Sequence, residues 1–208
     1  MSHTATTRIH VVIPAAGVSR RMGQPKLLMQ LNGETLIERL VRQLSMFQFA
    51  SISVLARKSD ELLHRAILRS QARLVLPDHD PAEMRESVEL LIQDLQDSFA
   101  PSDNDGWLLI PADHPILEPH TLTQLIAHCA ASPDQIVLPT HQGRRGHPTL
   151  FPWSAASCLA KIPHDQGLNW LTRHSDFTVQ EVACEEESIL WDIDTPEDFE
   201  RICGILKD

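Results

Sequence analysis

Between Pro14 and Leu28 the chain reads Pro-Ala-Ala-Gly-Val-Ser-Arg-Arg-Met-Gly-Gln-Pro-Lys-Leu-Leu. This segment follows an apolar run, Ile9 to Ile13, that reads as a strand, and it precedes a helix. Small residues at Ala15, Ala16 and Gly17 let backbone N–H groups come close to an anion, while Arg20, Arg21 and Lys26 bring positive charge to the same mouth. The chemistry this suits is the handling of a nucleoside triphosphate. The spacing is neither that of the Walker loop, G-x-x-x-x-G-K-[ST], nor that of the dinucleotide fingerprint, G-x-G-x-x-G.

Three further segments carry reactive side chains. Trp107 to Ile110 is a hydrophobic strand that runs into Pro111-Ala112-Asp113-His114-Pro115, so the Asp113 carboxylate stands at a strand end rather than in the core. A hard cation suits it there, since Mg²⁺ takes one or two carboxylates plus phosphate oxygens. An Asx-type turn introducing the next helix is the ordinary alternative. In Trp191-Asp192-Ile193-Asp194-Thr195-Pro196-Glu197-Asp198, Asp194 or Thr195 could cap a last helix that has Pro196 at its first position and acids in its first turn. Alternation along a preceding strand would put Asp192 and Asp194 on one side. The loop Gln142-Gly143-Arg144-Arg145-Gly146-His147-Pro148 combines glycines, two cations and an imidazole. It could clamp an acceptor phosphate, or be a hairpin turn with exposed arginines.

The elements that must position these groups alternate between strand and helix. Leu36, Ile37, Leu40, Val41, Leu44 and Phe47 recur at helical spacing; Ile52 to Ala56 reads as a strand. A helix through Leu62, Leu63, Ala66 and Ile67 follows, with Ser59 as its expected N-cap. Leu74 to Leu76 is the next strand, and Met84, Val88, Leu91, Ile92 and Leu95 define another helix. After the Trp107 strand come a helix around Leu122, Leu125 and Ile126 and the strand Ile136 to Leu138. Short strand-helix alternation of this kind predicts an α/β fold, a doubly wound, mainly parallel sheet in three α/β/α layers. Ligands on such sheets bind beyond the carboxyl ends of the strands, and those ends supply Ala15 to Lys26, Asp113 and the Thr140 to His147 loop, which all fall on one rim. After residue 145 the pattern loosens. A strand at Pro148 to Phe151, helices near Ser154 to Ala160 and Gly167 to His174 and a strand at Thr178 to Ala183 are expected, and this half shapes the acceptor side. Ser98 to Gly106 reads as a polar, mobile loop.

At 208 residues the expectation is one domain. A formal net charge of −10 argues against nucleic acid or an anionic membrane as partner, so anionic substrates must be captured by local charge. No apolar stretch has the length to span a bilayer and Met1 to Arg8 is polar, which points to a cytoplasmic protein. Cys129, Cys158, Cys184 and Cys203 form no C-x-x-C pair, which argues against a zinc site or a disulfide framework.

Gly17, Ser19, Arg21, Met22, Gly23 and Lys26 match, in order, the G-x-S-x-R-M-G-x-x-K signature of the MobA-like nucleotidyltransferases, which this chain resembles. The Ala15-Ala16-Gly17 opening is more similar to the molybdenum cofactor cytidylyltransferases than to the guanylyl branch, which opens A-G-G. The resemblance implies a Rossmann-like nucleotidyltransferase fold in which residues 1–145 form the nucleotide and metal side and residues 146–208 the acceptor side and closing helix. It places the triphosphate on Ala15, Ala16, Gly17, Ser19, Arg21 and Lys26, with Arg21, Lys26 and Asp113 catalytic. Asp113-His114-Pro115 matches the family's metal-binding D-x-P, although Ala112 and His114 depart from its usual neighbours and leave a substrate role for His114 open. The D-x-D-T-P-E-D segment closes near the metal. Asp192 is taken as the second metal carboxylate, with Asp194 assigned to the cap.

Arg145-Gly146-His147-Pro148 matches an R-G-H-P segment on the acceptor side, giving Arg145, His147 and His114 as acceptor candidates. Met84 to Val88 resembles an M-x-x-S-V helix start that brings Ser87 to the nucleotide, without the usual upstream glycine. Asp165-Gln166-Gly167 resembles a D-x-G turn whose downstream Arg is here Asn169. The implied reaction moves a nucleoside monophosphate from an NTP, CTP first, to the terminal phosphate of molybdenum cofactor, with Mg²⁺ or Mn²⁺ as cofactor and a molybdoenzyme as the receiver of the product. The alternatives are the same chemistry on another phosphorylated small molecule, such as a sugar phosphate, and a non-catalytic nucleotide or cofactor carrier.

Overall fold

The computed structural model describes residues 7–174 and 176–206. Its first strand, β1 (Ile9–Pro14), is buried along its whole length. Val11 and Ile13 face one side and Val12 the other, as expected of a strand covered on both faces. The chain then departs from the expected strand-to-helix step. Two short 3₁₀ turns, Arg20–Met22 and Lys26–Leu28, and a hairpin of β2 (Gln30–Leu31) and β3 (Glu34–Thr35) intervene before α1 (Leu36–Leu44). Pro25 prevents a continuous helix, and Asn32 and Gly33, both at positive φ, make the tight hairpin turn that an Asn-Gly pair favours. Thr35 then caps α1, in a box with Glu38.

Next come β4 (Ser51–Leu55), α2 (Glu61–Arg69), β5 (Arg73–Val75) and α3 (Met84–Phe99). Asp60, not Ser59, caps α2, because its carboxylate reaches the Leu63 N–H at 3.1 Å. The second half contains β6 (Gly106–Leu109), α4 (Pro119–Ala131), β7 (Ile136–His141), β8 (Arg144–Arg145), β9 (Thr149–Pro152), α5 (Leu171–His174), β10 (Val179–Ala183) and α6 (Pro196–Ile205). Trp153–Lys161, expected as a helix, is a run of 3₁₀ turns, and Leu168–Trp170 is a 3₁₀ turn leading into α5.

Apart from the β2–β3 hairpin, the strands form one sheet in the order β10-β7-β9-β6-β1-β4-β5, with β8 on β7. All neighbours are parallel except β9, inserted antiparallel against β6 and β7, and β8, which turns back on β7. The mainly parallel α/β sheet is therefore as expected. One core joins the sheet to α1, α2 and α4, and a second joins it to α3, the 153–161 turns and α5, giving three layers.

Ser98 to Gly106 differs from the mobile loop expected. Helix α3 occupies its first residues, and Asp105, 2 % exposed, accepts hydrogen bonds from the Arg8 backbone at 3.0 Å, the Arg8 guanidinium at 2.6 Å and the Ser102 N–H at 2.7 Å. Residues 191–194 form no strand either. The Ile193 N–H is spent on the Asp113 carbonyl at 3.1 Å instead of a ladder. Among the described residues no helix is long and apolar enough to cross a membrane, and all four cysteines are free thiols.

Candidate active site at the carboxyl rim of the sheet

The Ala15 N–H continues the β1 ladder by one bond, to the Leu55 carbonyl at 2.8 Å, after which the chain leaves the sheet. Ser19 holds a left-handed conformation at φ 47° and closes the loop twice. Its carbonyl accepts from the Met22 N–H at 3.1 Å, and its hydroxyl from the Lys26 N–H at 3.3 Å. That fold-back fixes where Lys26 begins.

The Lys26 ammonium sits 2.6 Å from Asp113 Oδ2 and 3.3 Å from Asp194 Oδ1, with only 12 % of its side chain exposed. Arg21, largely exposed, pairs with the other Asp194 oxygen at 3.0 Å. Asp113 and Asp194 are held together through the backbone as well, by the bond from Ile193 to the Asp113 carbonyl. The cap of α6 explains why Asp194 is available. Thr195 and Asp198 form a reciprocal capping box, and Asp198 accepts from the Asp194 and Thr195 N–H groups at 3.1 and 2.9 Å. Thr195 therefore does the capping, and the premise that occupied Asp194 does not hold.

Asp192 points to a different partner, His114, whose Nδ1 is 3.8 Å away and has no hydrogen bond. Burial works to raise the Asp192 carboxyl, but His114, His147 and Lys26 together outweigh it and hold it below its ordinary value. His147, its ring centroid 6.3 Å from that of His114, also has an unpartnered Nδ1. Burial pushes its imidazole below the ordinary value, against the pull of Asp192, with His114 adding repulsion and Asp113 a lesser attraction. His147 is located by its neighbour: a Cβ at Gly146 would run into the Ile189 carbonyl, so only glycine lets the two backbones meet there. The His147 N–H then donates to the Ile189 carbonyl at 2.8 Å.

A cleft of about 410 Å³ opens on this rim. Ala15, Ala16, Gly17, Ser19, Lys26, Ser87 and Asp113 all line it, so these expected site residues meet in one place. Arg21 joins them through Asp194. Arg145 is not in the cleft lining. It lies exposed on the β7–β8 hairpin, bonded to Glu181 at 2.8 Å and to the Thr172 carbonyl. Sequence reasoning missed Arg57, which lines the cleft two residues beyond β4, and the wall formed by Pro81 to Glu83. Their signal was position alone, just past the ends of β4 and β5.

The donor set fits a hard divalent cation. Two carboxylates, Asp113 and Asp194, already converge on one positive charge, and among the described residues no cluster of three or more His, Cys, Asp or Glu offers a complete cage. The remaining oxygens of such a site would come from phosphate and water, the usual arrangement for Mg²⁺.

The model of the MobA-like NTP transferase domain matches residues 11–179. The chain belongs to that family. Its members' class, nucleotidyltransferases, suits a cleft at the end of β1 that Arg20, Lys26 and Arg57 line. The chain is 25 % identical over 191 residues to the molybdenum cofactor cytidylyltransferase of Escherichia coli (strain K12), covering 92 % of this chain and 93 % of that one. It is 32 % identical over 125 residues to the 3-deoxy-manno-octulosonate cytidylyltransferase of Legionella pneumophila (strain Lens), which covers 60 % of this chain but only 46 % of that protein. Among solved structures, Rv0371c from Mycobacterium tuberculosis H37Rv superposes with a TM-score of 0.81 at 23 % identity, over 95 % of this chain and 99 % of that one. A second structure of Rv0371c is a complex with manganese. These structural likenesses speak for the Rossmann-like α/β nucleotidyltransferase fold.

Proposed function

We propose that this MobA-like nucleotidyltransferase moves a cytidylyl group from CTP to the terminal phosphate of molybdenum cofactor and releases pyrophosphate. The observation that carries the reading is the Lys26 ammonium shared between Asp113 and Asp194 beneath the Ala15–Ser19 loop. The full-length match to a molybdenum cofactor cytidylyltransferase supports the acceptor, and the cytidylyl transfer named for both curated relatives supports the base.

An ionised phosphate oxygen of the acceptor attacks the α-phosphorus in line. A new P–O bond forms there as the bond from the α-phosphorus to the bridging oxygen breaks, and that oxygen keeps the electron pair as pyrophosphate leaves. The attacking oxygen is already an anion near neutral pH, so no side chain has to take a proton. What the chain must do is position two polyanions and offset the charge that builds up between them. Backbone N–H groups of Ala16 and Gly17 approach the phosphates, and Lys26 and Arg21 bring positive charge to them. Ser87, near the first turn of α3, closes the far wall. Asp113 and Asp194 would hold Mg²⁺ or Mn²⁺, which when bound supplies Lewis-acid stabilisation of the phosphate oxygens. His114 and His147, with Asp192 beside them, form the acceptor side. Arg145 would have to leave Glu181 to take a phosphate.

The test is to incubate the protein with CTP, Mg²⁺ and molybdenum cofactor and to identify the product by mass. Molybdopterin cytosine dinucleotide is expected. The 3-deoxy-manno-octulosonate relative makes a sugar-type acceptor the second arm, and cytidylylation of such an acceptor alone would reassign the substrate.

A further inference from the structure

Arg57 is the side chain that joins the two walls of the cleft. Its Nε donates to the Ala16 carbonyl at 2.6 Å, on the loop after β1, and its Nη1 to Asp80 at 3.1 Å, on the segment after β5. The sheet order explains how it can do both. Strand β4 lies between β1 and β5, so a residue just beyond its carboxyl end stands between the loops that leave its two neighbours.

The far wall depends on such anchors. Asp78 to Glu83 has no regular secondary structure, yet Pro81, Ala82 and Glu83 line the cleft. Side chains hold the segment from both ends. Glu86 on α3 accepts from the Ala82 N–H at 2.6 Å and contacts His79 at 2.7 Å, and Lys58 reaches the Asp78 carbonyl at 3.3 Å. Only Arg57, among the described residues, ties this segment to the Ala15–Gly17 loop. A planar guanidinium can serve a carbonyl and a carboxylate at once in fixed directions, whereas a lysine ammonium on a flexible stem does not set their spacing.

We infer that Arg57 is a positioning residue for nucleotide: it sets the distance between the Ala16 backbone and the Asp80 segment, and thereby the width of the slot that receives the nucleoside triphosphate. This rests on the nucleotidyltransferase reading and adds to it a determinant outside the family signature. The Arg57–Asp80 pair is part-exposed, at 28 % and 39 % of the two side chains, so it contributes little to folding and can be removed without unfolding the chain.

The experiment is calorimetric binding of CTP, GTP, ATP and UTP to the full chain and to Arg57→Lys, Arg57→Ala, Asp80→Asn and the Arg57→Ala/Asp80→Asn double variant, with melting temperatures recorded alongside. Arg57→Ala should weaken binding of the preferred nucleotide roughly tenfold, the scale of one charge-assisted hydrogen bond, at a nearly unchanged melting temperature. Arg57→Lys should recover little of it. Asp80→Asn, which does not alter the cation, should also weaken binding, and the double variant should be no worse than Arg57→Ala alone. If Arg57 merely supplied charge to the phosphates, Arg57→Lys would bind normally and Asp80→Asn would bind as well or better; either result overturns the inference while the proposed function stands. Failure of the unmodified chain to bind any of the four nucleotides overturns both.

Discussion

Lys26 Nζ lies 2.6 Å from a carboxylate oxygen of Asp113, although 87 residues separate them in sequence, and 3.3 Å from Asp194 across 168 residues. One ammonium thus keeps two carboxylates from facing each other unscreened. It does so where the β1 loop, the segment after β6 and the approach to α6 meet.

Replacing Lys26 with Met keeps the stem and removes the charge. Turnover should fall by roughly 10²-fold or more, as for loss of a preorganised electrostatic donor. Stability should drop by about 1–3 kcal/mol, since the side chain is mostly buried and two carboxylates are left to repel. A divalent cation can replace the lost charge, so Mg²⁺ or Mn²⁺ should raise the melting temperature of Lys26→Met more than that of the unmodified chain. Thermal melts with and without metal check this, and a metal-insensitive variant would remove Lys26 from the metal pocket.

Asp194→Asn and Asp192→Asn should behave differently. The first carboxylate shares Lys26 with Asp113, while the second faces His114. Asp194→Asn should raise the Mg²⁺ concentration for half-maximal rate by at least the roughly 10- to 100-fold that changes around a metal's ligands cost. Asp192→Asn should leave the metal requirement near normal and raise KM for the acceptor. Metal titrations of the two variants decide, and equal metal dependence would reverse the assignment.

At Gly146 an added methyl has no room beside Ile189. Gly146→Ala should cost about 1–3 kcal/mol, typical of overpacking, and should move His147, whose N–H is bonded to the same carbonyl. Acceptor KM should rise while nucleotide affinity holds. A chemical melt and separate KM values for the two substrates measure these effects.

Asp105 anchors Arg8 at the start of β1, and its carboxyl is lowered to about 2. Burial alone would raise it; the bonds from Arg8 and Ser102 outweigh that. Because the folded-state value lies below the unfolded value of 3.8, the contribution is complete above pH 4 and is lost as pH falls toward 2. It amounts to about 2 kcal/mol. Denaturant melts between pH 5 and pH 2 should show the unmodified chain losing that much more than Asp105→Asn.

The loop after β1 was legible as a wall of the cleft because its small residues and cations lie together in sequence. Asp113 was legible for a related reason: a carboxylate directly after an apolar strand can only be at the rim. The choice between Asp192 and Asp194 was not, since it turns on whether Thr195 or Asp194 caps α6, and both residue types cap well. Arg57 was missed because its two bonds run to Ala16 and Asp80, on neighbouring strands, and no spacing in the chain encodes the order β1-β4-β5. The parallel α/β sheet followed from alternation, but the antiparallel insertion of β9 did not, because a four-residue apolar strand carries no mark of its direction.

The measurement that bears most directly on the central claim is the initial rate of pyrophosphate release by the full chain with Mg²⁺ and molybdenum cofactor, using CTP, GTP, ATP and UTP in turn. Release should depend on the acceptor and be far faster with CTP than with GTP, because a site built for one base leaves polar groups unpaired against another. Equal rates with CTP and GTP would contradict the cytidylyl assignment, and no release with any nucleotide would contradict the proposed transfer itself.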